Sequence, residues 1–316
     1  MHLNTALRTQ PRIEKDGFSN VFGFSYAYLA ENMRINAVLA LEKQIPADGA
    51  NPFDLTVAST SRAIAEHILG NLDEADKQYQ NCAANGFDSY MALVGISFIL
   101  QQRGELESYR WLVDYGSFPI LFDVAEEKGR EKTAAFNETL YAAIIEHPSL
   151  KPEVHYEAPR AKYITDNFTR NDAPEAIAAL IDLVGEKIDH IRDTTTPLAG
   201  HPFLGKIPTR YRIEMFGALL DRGGYHSPHV HSDAWLSGGY YTRVPDLSAD
   251  DNPSAGFLEF GKMLHMLPDG FKGKRHYVEP REGLMAVWPS YYIHNTIPCR
   301  DSRQRLTIGF NVYADD

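Results

Sequence analysis

The chain has 316 residues, of which 44% are hydrophobic and 23% are charged, enough for one large or two ordinary globular domains. Its formal net charge of -11 provides no general attraction to nucleic acid or to an anionic membrane, so we expect neither as a partner. The two cysteines, Cys82 and Cys299, suggest neither a disulfide framework nor a cysteine-type zinc site, and they favour a reducing, cytoplasmic location. Because no apolar run approaches the roughly 20 residues of a membrane span, a membrane protein is not expected.

Helical periodicity dominates the first part of the chain. Between Ser25 and Gln44 apolar residues recur every three or four positions, which predicts an amphipathic helix that Pro46 would end. Further helices are predicted between Leu55 and Tyr115, with breaks at Gly70 and Gly104.

The two breaks are 34 positions apart, which is the period of a tetratricopeptide repeat. After the first break, Ala75, Tyr79 and Cys82 fall where such a repeat places its small, aromatic and small packing residues. The segment therefore resembles that family, although Tyr109 replaces the small residue expected after the second break. The resemblance implies a short helical layer that could bind a peptide or a protein partner. The alternative is that this layer only packs against the rest of the chain.

Two further helices are predicted before the texture changes. One runs from Thr133 to Ile145, and another begins with Pro174 in its first turn. Between them, the polar segment from Glu153 to Arg170 is typical of a loop and could border a pocket. The second helix carries one apolar stripe, which is typical of a helix packed on a sheet: Ile177, Leu180, Ile181, Val184, Ile188 and Ile191.

After Pro197 the chain becomes strand-rich. Five short runs of Tyr, Phe, Val and Ile, separated by Gly, Pro and Asp, predict an antiparallel sandwich or barrel. In the last run Leu306, Ile308 and Phe310 would form a buried face, and the alternate, smaller or polar residues could line a cavity. The five runs are Tyr211 to Leu219, Trp235 to Val244, Gly256 to Phe260, Gly283 to Trp288 and Leu306 to Val312.

A histidine-rich stretch precedes the second of these runs. In an extended backbone, His229, His231 and Asp233 would all point to one face. Imidazole and carboxylate groups suit a divalent first-row metal such as Fe(II), and such a set leaves coordination positions open. The alternative is a surface loop with solvated histidines. A third ligand could come from His294, which follows the strand that ends at Trp288, if the sheet folds back on itself as in a double-stranded barrel. His226 is not expected to be a ligand.

Arg305 lies eleven positions after His294 and begins the last strand. Its guanidinium group could bind a carboxylate inside the barrel, with the Thr307 hydroxyl beside it on the same strand face. The alternatives are a structural ion pair for the arginine and an ordinary strand position for the threonine. The aromatic residues Trp235, Trp288, Tyr240 and Tyr241 could wall a substrate pocket or could simply belong to the core.

These motifs together resemble the 2-oxoglutarate/Fe(II)-dependent oxygenase superfamily. The similarity is greatest to the branch with His-x-His-Pro, Ser-Gly-x-Tyr-Tyr, Phe-Pro-Ser and Arg-x-Ser-x-x-Phe-Asn motifs, and it covers about Pro197 to the C-terminus and, more weakly, the helices from about Thr133. The residues that carry it are His229-x-His231-x-Asp233, Leu236-Ser237-Gly238-Gly239-Tyr240-Tyr241, Gly256-x-Leu258-x-Phe260, Trp288-Pro289-Ser290, His294 and Arg305-x-Thr307-x-x-Phe310-Asn311.

The resemblance implies iron bound by His231 and His294, and 2-oxoglutarate bound through its distal carboxylate by Arg305 and Thr307. The third ligand stays open, because the superfamily's His-x-Asp spacing selects Asp233 whereas the branch's His-x-His motif selects His229. The sequence departs from the branch at Ser232, which stands in place of Pro, and at Trp288, which stands in place of Phe.

We therefore predict an α+β protein in which residues 1–116 form a tetratricopeptide-like helical region and residues 117–316 form a double-stranded β-helix (jelly-roll, cupin-like) oxygenase domain with supporting helices. The expected enzyme uses Fe(II), 2-oxoglutarate and O2 to hydroxylate an unactivated carbon of a small molecule, a peptide or a protein side chain, with release of succinate and CO2. Two alternatives stay open: a three-histidine cupin-type dioxygenase that does not use 2-oxoglutarate, and a non-catalytic helical-repeat binding protein with a degenerate barrel.

Overall fold

A computed structural model describes residues 60, 62–84, 89–152, 162–263, 270–301 and 303–315. They divide into two compact units. The first contains the described residues up to Gly104 and those within 263–273, and the second contains the others from Glu105 onwards. In the described part of the chain, no helix is long and apolar enough to cross a membrane.

The first unit is helical. Residues 62–68 precede α1 (Leu72–Ala84) and α2 (Ser89–Gln102). Helix α1 buries Ala75, Tyr79 and Cys82, the three residues that the repeat pattern selected, and the Tyr79 ring lies only 2.3 Å from the position of a Cβ atom on Gly95. This close packing requires glycine in α2. The tetratricopeptide assignment itself stays a prediction, and the helix predicted between residues 25 and 44 lies outside the described residues.

The second unit contains four α-helices among its described residues: α3 (Leu106–Leu112), α4 (Val124–Lys128), α5 (Arg130–Ile145) and α6 (Glu175–Thr194). The predicted helices over 133–145 and after Pro174 are confirmed, and the whole predicted apolar stripe of α6 is buried. Pro174 is one position earlier than predicted. Its ψ of 150° is not helical, so it is the N-cap residue and not part of the first turn.

The strands of the second unit include the five predicted runs, with bounds that differ by at most two residues. The strands β1, β2, β3, β7 and β9 were not predicted, because runs of two to four residues are too short to show alternation. In chain order the strands are β1 (Ile120–Asp123), β2 (Lys151–Pro152), β3 (Lys162–Ile164), β4 (Tyr211–Leu220), β5 (Leu236–Arg243), β6 (Leu258–Phe260), β7 (His276–Val278), β8 (Leu284–Pro289), β9 (His294–Thr296) and β10 (Arg305–Ala314).

All strand pairings are antiparallel, and they form two sheets. The main sheet has the order β1-β8-β5-β10-β4-β3-β2 and the second sheet the order β7-β6-β9. An isolated bridge places His229 beside His294 of β9, at the free edge of the second sheet. The chain therefore passes repeatedly between the two sheets, β4 to the His229 segment, β5 to β6, β7 to β8 and β9 to β10, which is the strand order of a jelly roll.

The main sheet separates a packed outer face from a more polar inner face. Along β10, Leu306, Ile308 and Phe310 are at most 1% exposed. Helix α5 covers this outer face, since its Ile144 lies 2.7 Å from the position of a Cβ atom on Gly217, which pairs with Ile308. The predicted alternation along β10 is thus confirmed, and its other face, which begins with Arg305 and Thr307, lines the barrel interior.

Candidate metal centre

The centre begins with a pair of backbone segments. His229 and His294 donate to each other's carbonyl oxygens through two hydrogen bonds of 3.0 Å each. This reciprocal pairing places their rings next to each other, with centroids 4.3 Å apart. The short strand β9 thus carries one histidine directly to the segment that carries the other.

His231 joins the pair from two positions further along. Its backbone N–H donates to the Ser290 carbonyl at 3.1 Å, and its ring centroid is 5.0 Å from that of His229 and 5.2 Å from that of His294. Each of the three histidines offers one ring nitrogen, and these atoms lie within 4.8 Å of one another. In the part of the chain that the structure describes, this is the group of side chains that could hold a metal ion.

Backbone carbonyls orient two of the three rings. The Nδ1 atom of His229 lies 2.7 Å from the Ser227 carbonyl oxygen, and that of His294 lies 2.9 Å from the Tyr292 carbonyl oxygen. Because a carbonyl oxygen only accepts, each Nδ1 must carry the proton, and each Nε2 keeps its lone pair. This arrangement fixes the tautomer in the way that metal-binding histidines require.

The protonation state of the cluster also suits a cation. Burial lowers the pKa of His231 and of His294 well below the usual value, and the neighbouring His229 ring adds to the effect. These imidazoles are therefore neutral near pH 7, and neutral imidazole is the form that binds a metal ion.

Asp233 is not brought to this cluster. It lies in a turn with φ of 68°, a left-handed conformation, and its side chain is exposed. The prediction that three residues share one face therefore fits His229 and His231 but is wrong for Asp233, because the backbone is no longer extended at the turn. The Asp233 carboxylate instead influences Tyr313. Burial raises the pKa of Tyr313, and the negative charge of Asp233 adds to this increase.

Arg305 occupies the inner face of β10 and is 5% exposed. Its Nη1 donates to the Gly256 carbonyl at 2.5 Å, its Nε donates to the Thr307 hydroxyl at 3.1 Å, and its Cζ atom lies 5.1 Å from the centroid of the Tyr241 ring. None of the described carboxylates forms an ion pair with it. The predicted contact with Thr307 is present, and the predicted alternative of a structural ion pair is not found among the described residues.

An arginine in this position indicates an anionic ligand. Burial lowers the pKa of Arg305, but a guanidinium group stays protonated in a protein. A buried charge without a counterion is costly, so folding favours such a site only when a ligand or another charge compensates it. The guanidinium borders a small cleft that is also lined by Gly256, Cys299, Asp221 and Asp301.

The four aromatic candidates separate into two groups. The Trp288 ring contacts His294, with centroids 4.7 Å apart, and Tyr241 lies under the Arg305 guanidinium. Tyr240 instead donates to Asn137 of α5 at 2.7 Å, and Trp235 stacks on Phe203 with centroids 5.5 Å apart. Only the first group borders the candidate site.

Two further residues lie near the centre: His226, which was not expected to be a ligand, and Lys162, which the sequence did not select. The His226 ring is 6.0 Å from that of His229, and burial lowers its pKa well below the usual value. Lys162 of β3 lies opposite Leu220, which lies opposite Arg305, so all three side chains are on one sheet face. The charge of Lys162 contributes to the lowered pKa of His226 and of His231. Because β3 is so short, the sequence indicated only a loop there.

The residues present fit a divalent metal ion and a dicarboxylate. Three imidazoles around one point suit Fe(II) and neighbouring first-row metals, and they leave coordination positions open. The buried Arg305, with Thr307 beside it, suits the far end of a small dianion.

Comparison with known families finds a match over residues 214–311, which is less than half of the chain, to a family described as "Putative 2OG-Fe(II) oxygenase". The matched segment contains the three histidines and Arg305. It confirms the prediction of an oxygenase enzyme that uses Fe(II), 2-oxoglutarate and O2. A search of curated proteins found no match.

Several solved structures are similar in outline. A Pseudomonas putida prolyl-4-hydroxylase is 18% identical, with 58% of this chain and 88% of that chain covered and a TM-score of 0.39. A prolyl hydroxylase from Trichoplax adhaerens in complex with a hypoxia inducible factor peptide is 15% identical, with 68% and 92% covered and a TM-score of 0.43. HygX from Streptomyces hygroscopicus, with nickel, 2-oxoglutarate and hygromycin B bound, is 13% identical, with 62% and 82% covered and a TM-score of 0.41.

Proposed function

We propose that His229, His231 and His294 hold Fe(II), that Arg305 and Thr307 bind the distal carboxylate of 2-oxoglutarate, and that the enzyme hydroxylates an unactivated carbon of a small molecule or peptide. The observation that carries this proposal is the buried Arg305 without a described carboxylate partner, in the same barrel as three clustered histidines. The three histidines suit the metal ion, and Arg305 suits one carboxylate of the dicarboxylate.

The protein's own contribution is positioning. The Ser227 and Tyr292 carbonyls hold two imidazoles in the tautomer that presents Nε2, and the Gly256 carbonyl with the Tyr241 ring holds the guanidinium group of Arg305. When bound, Fe(II) with 2-oxoglutarate and O2 supplies the oxidising chemistry, with succinate and CO2 as co-products. Burial of His294 and Arg305 limits the access of water to both ends of the site.

The ligand set proposed here is His229, His231 and His294, with Asp233 outside it. This choice is supported by the reciprocal backbone pairing of His229 with His294 and by the left-handed turn at Asp233. The set contains no carboxylate, so the bound ion would keep its full positive charge. An anionic cosubstrate would compensate it.

A histidine-only cluster also suits the cupin-type dioxygenase that does not use 2-oxoglutarate. In that alternative Arg305 would have no ligand to bind, although its burial is costly without one. The substrate class, a protein partner at the helical region, the domain division at residues 116/117 and the cytoplasmic location remain predictions.

The test is reconstitution of the purified protein with Fe(II), ascorbate and 2-oxoglutarate. We expect slow succinate formation without added substrate, abolished in His294→Ala and strongly reduced in Arg305→Ala. His190→Ala and Arg170→Ala are matched controls, because both residues are exposed on or near α6 and should leave the rate unchanged. Absence of both bound iron and succinate would contradict the oxygenase assignment. Substrate oxidation without succinate would favour the cupin alternative.

A further inference from the structure

Two tryptophans carry buried indole N–H groups without a hydrogen-bond partner. Trp288 is 4% exposed and Trp235 is 5% exposed, and the Nε1 atom of each is fully buried with no acceptor in the part of the chain that the structure describes. Buried N–H groups normally find acceptors, so these two indoles are exceptions.

The surroundings of Trp288 connect it to the metal centre. Its ring meets His294 edge-on, with centroids 4.7 Å apart and an angle of 64°, and it meets Phe260 with centroids 5.3 Å apart and an angle of 78°. Trp288 belongs to β8 of the main sheet, whereas the other two residues belong to the second sheet. The indole therefore crosses the barrel interior directly beside a proposed metal ligand.

The strand register places Trp288 at the metal end of the barrel. Trp288 pairs with Ser237, which pairs with Asn311 near the far end of β10, whereas Arg305 is the first residue of that strand. Ser290, two positions after Trp288, accepts the hydrogen bond from the His231 backbone. A ligand that reaches the indole is thus held at the metal and not at the guanidinium.

Nearby side chains do not provide the missing acceptor. The Ser237 hydroxyl already bonds Ser290 Oγ at 2.7 Å and donates to Asn311 Oδ1 at 2.9 Å. His294 uses Nδ1 for the Tyr292 carbonyl, and its Nε2 belongs to the metal cluster.

We propose that Trp288 is a cosubstrate-binding residue whose indole N–H donates a hydrogen bond to an oxygen atom at the keto-acid end of 2-oxoglutarate. This inference rests on the proposed function, because it places the keto-acid end at the three histidines.

The experiment compares Trp288→Phe, which keeps an aromatic ring and removes the N–H, with Trp235→Phe, which makes the same change at a matched indole stacked on Phe203. Each protein is loaded with Ni(II), and the affinities for Ni(II) and then for 2-oxoglutarate are measured by calorimetry. We expect Trp288→Phe to bind 2-oxoglutarate about ten-fold more weakly, the effect of losing one hydrogen bond to a charged acceptor. Its Ni(II) affinity should stay unchanged, and Trp235→Phe should change neither.

A second measurement does not depend on the variant folding well. The chain has three tryptophans, so 15N-tryptophan labelling of the Zn(II)-loaded wild-type protein gives three indole N–H signals. Trp111→Phe and Trp235→Phe each remove one signal, which assigns the third to Trp288 without the Trp288→Phe variant. Addition of 2-oxoglutarate should move the Trp288 signal downfield and slow its exchange with solvent, and it should leave the Trp235 signal in place.

The outcomes separate the two proposals. Unchanged 2-oxoglutarate affinity in Trp288→Phe together with an unmoved Trp288 signal would overturn the role of Trp288, and an equal loss in both variants would do the same because it would reflect packing alone. If the wild-type protein binds neither Ni(II) nor 2-oxoglutarate, or binds them as well after His294→Ala and Arg305→Ala, the proposed function itself fails.

Discussion

The two faces of strand β10 differ in the residues that they present. The outer face presents Leu306, Ile308 and Phe310, all at most 1% exposed, to the supporting helices. The inner face presents Arg305 with a buried charge, Thr307 with a hydroxyl group, and Gly309, over which the Phe216 ring of β4 packs. One strand therefore packs apolar side chains on one side and carries a buried charge on the other.

Burial alone does not define a core. Phe310 is buried against other protein atoms, since its ring lies within 2.1 Å of the position of a Cβ atom on Gly238. Arg305 is 5% exposed and is left without a described counterion, so its surroundings are complete only with a ligand. Substitutions on the two faces should consequently change different measured quantities.

The largest effect is expected for His294→Ala on the inner side of the barrel. Because it removes a metal ligand, we expect a loss of Fe(II) affinity well beyond the about 100-fold that follows loss of an outer partner of a ligand. Calorimetric titration with Fe(II) under anaerobic conditions checks this. An unchanged affinity would place the metal elsewhere, and His190→Ala serves as the control.

On the outer face, Phe310→Ala should lower the free energy of unfolding by about 3–5 kcal/mol, because it leaves a cavity where the ring packs. Urea unfolding followed by circular dichroism measures the change. The 2-oxoglutarate affinity of the folded, Ni(II)-loaded variant should equal that of the wild type. A selective loss of that affinity would show that the two faces are not independent.

On the inner face, Arg305→Ala should weaken 2-oxoglutarate binding about 100-fold, as expected when one member of a charged, hydrogen-bonded pair is removed. Arg305→Lys keeps the charge but loses the planar fork, so we expect a smaller loss of about ten-fold. Titration of each Ni(II)-loaded variant tests the series. Equal affinities in all three proteins would mean that no carboxylate binds at Arg305.

A structural histidine provides a contrast to the metal cluster. The Nδ1 atom of His201 accepts from the Phe203 and Leu204 backbones, and its Nε2–H donates to the Trp111 carbonyl, so all its hydrogen bonds are made within the protein. Burial lowers the pKa of His201. The unfolded chain therefore takes up the proton first, and stability is lost as the pH falls below about 6.5.

This contribution of His201 is at most about 1.4 kcal/mol per pH unit. Urea unfolding between pH 8 and pH 5.5 should show a shallower pH dependence for His201→Gln than for the wild type. Identical slopes would contradict the assignment of a neutral His201 in the folded protein.

The smallest effect is expected at Asp233. Asn tolerates a left-handed backbone, so Asp233→Asn keeps the turn and removes the charge. We expect the stability to change by no more than about 0.5 kcal/mol and the Fe(II) affinity to stay the same. A large loss of Fe(II) affinity in this variant would show that Asp233 is a ligand and would break the histidine-only assignment.

The sequence predicted most of what depends on periodicity. The stripe of α6 and the alternation of β10 extend over enough residues to be visible, and Arg305 beside Thr307 followed directly from that alternation. Periodicity could not decide between His229 and Asp233 as a ligand. That choice depends on a single left-handed residue and on a backbone pairing with His294. Lys162 was missed for the same reason, since its position depends on a strand of three residues.

The reciprocal hydrogen bonds between His229 and His294 join two segments that are far apart in the sequence. Bringing the two segments together costs chain entropy. An ion that binds only when the segments are paired offsets part of that cost by mass action. The bound metal would then stabilise the folded barrel in addition to its part in catalysis. A shortage of iron in the cell would lower the amount of folded enzyme in addition to its activity, so supply of the metal would set both how much enzyme persists and how fast it works.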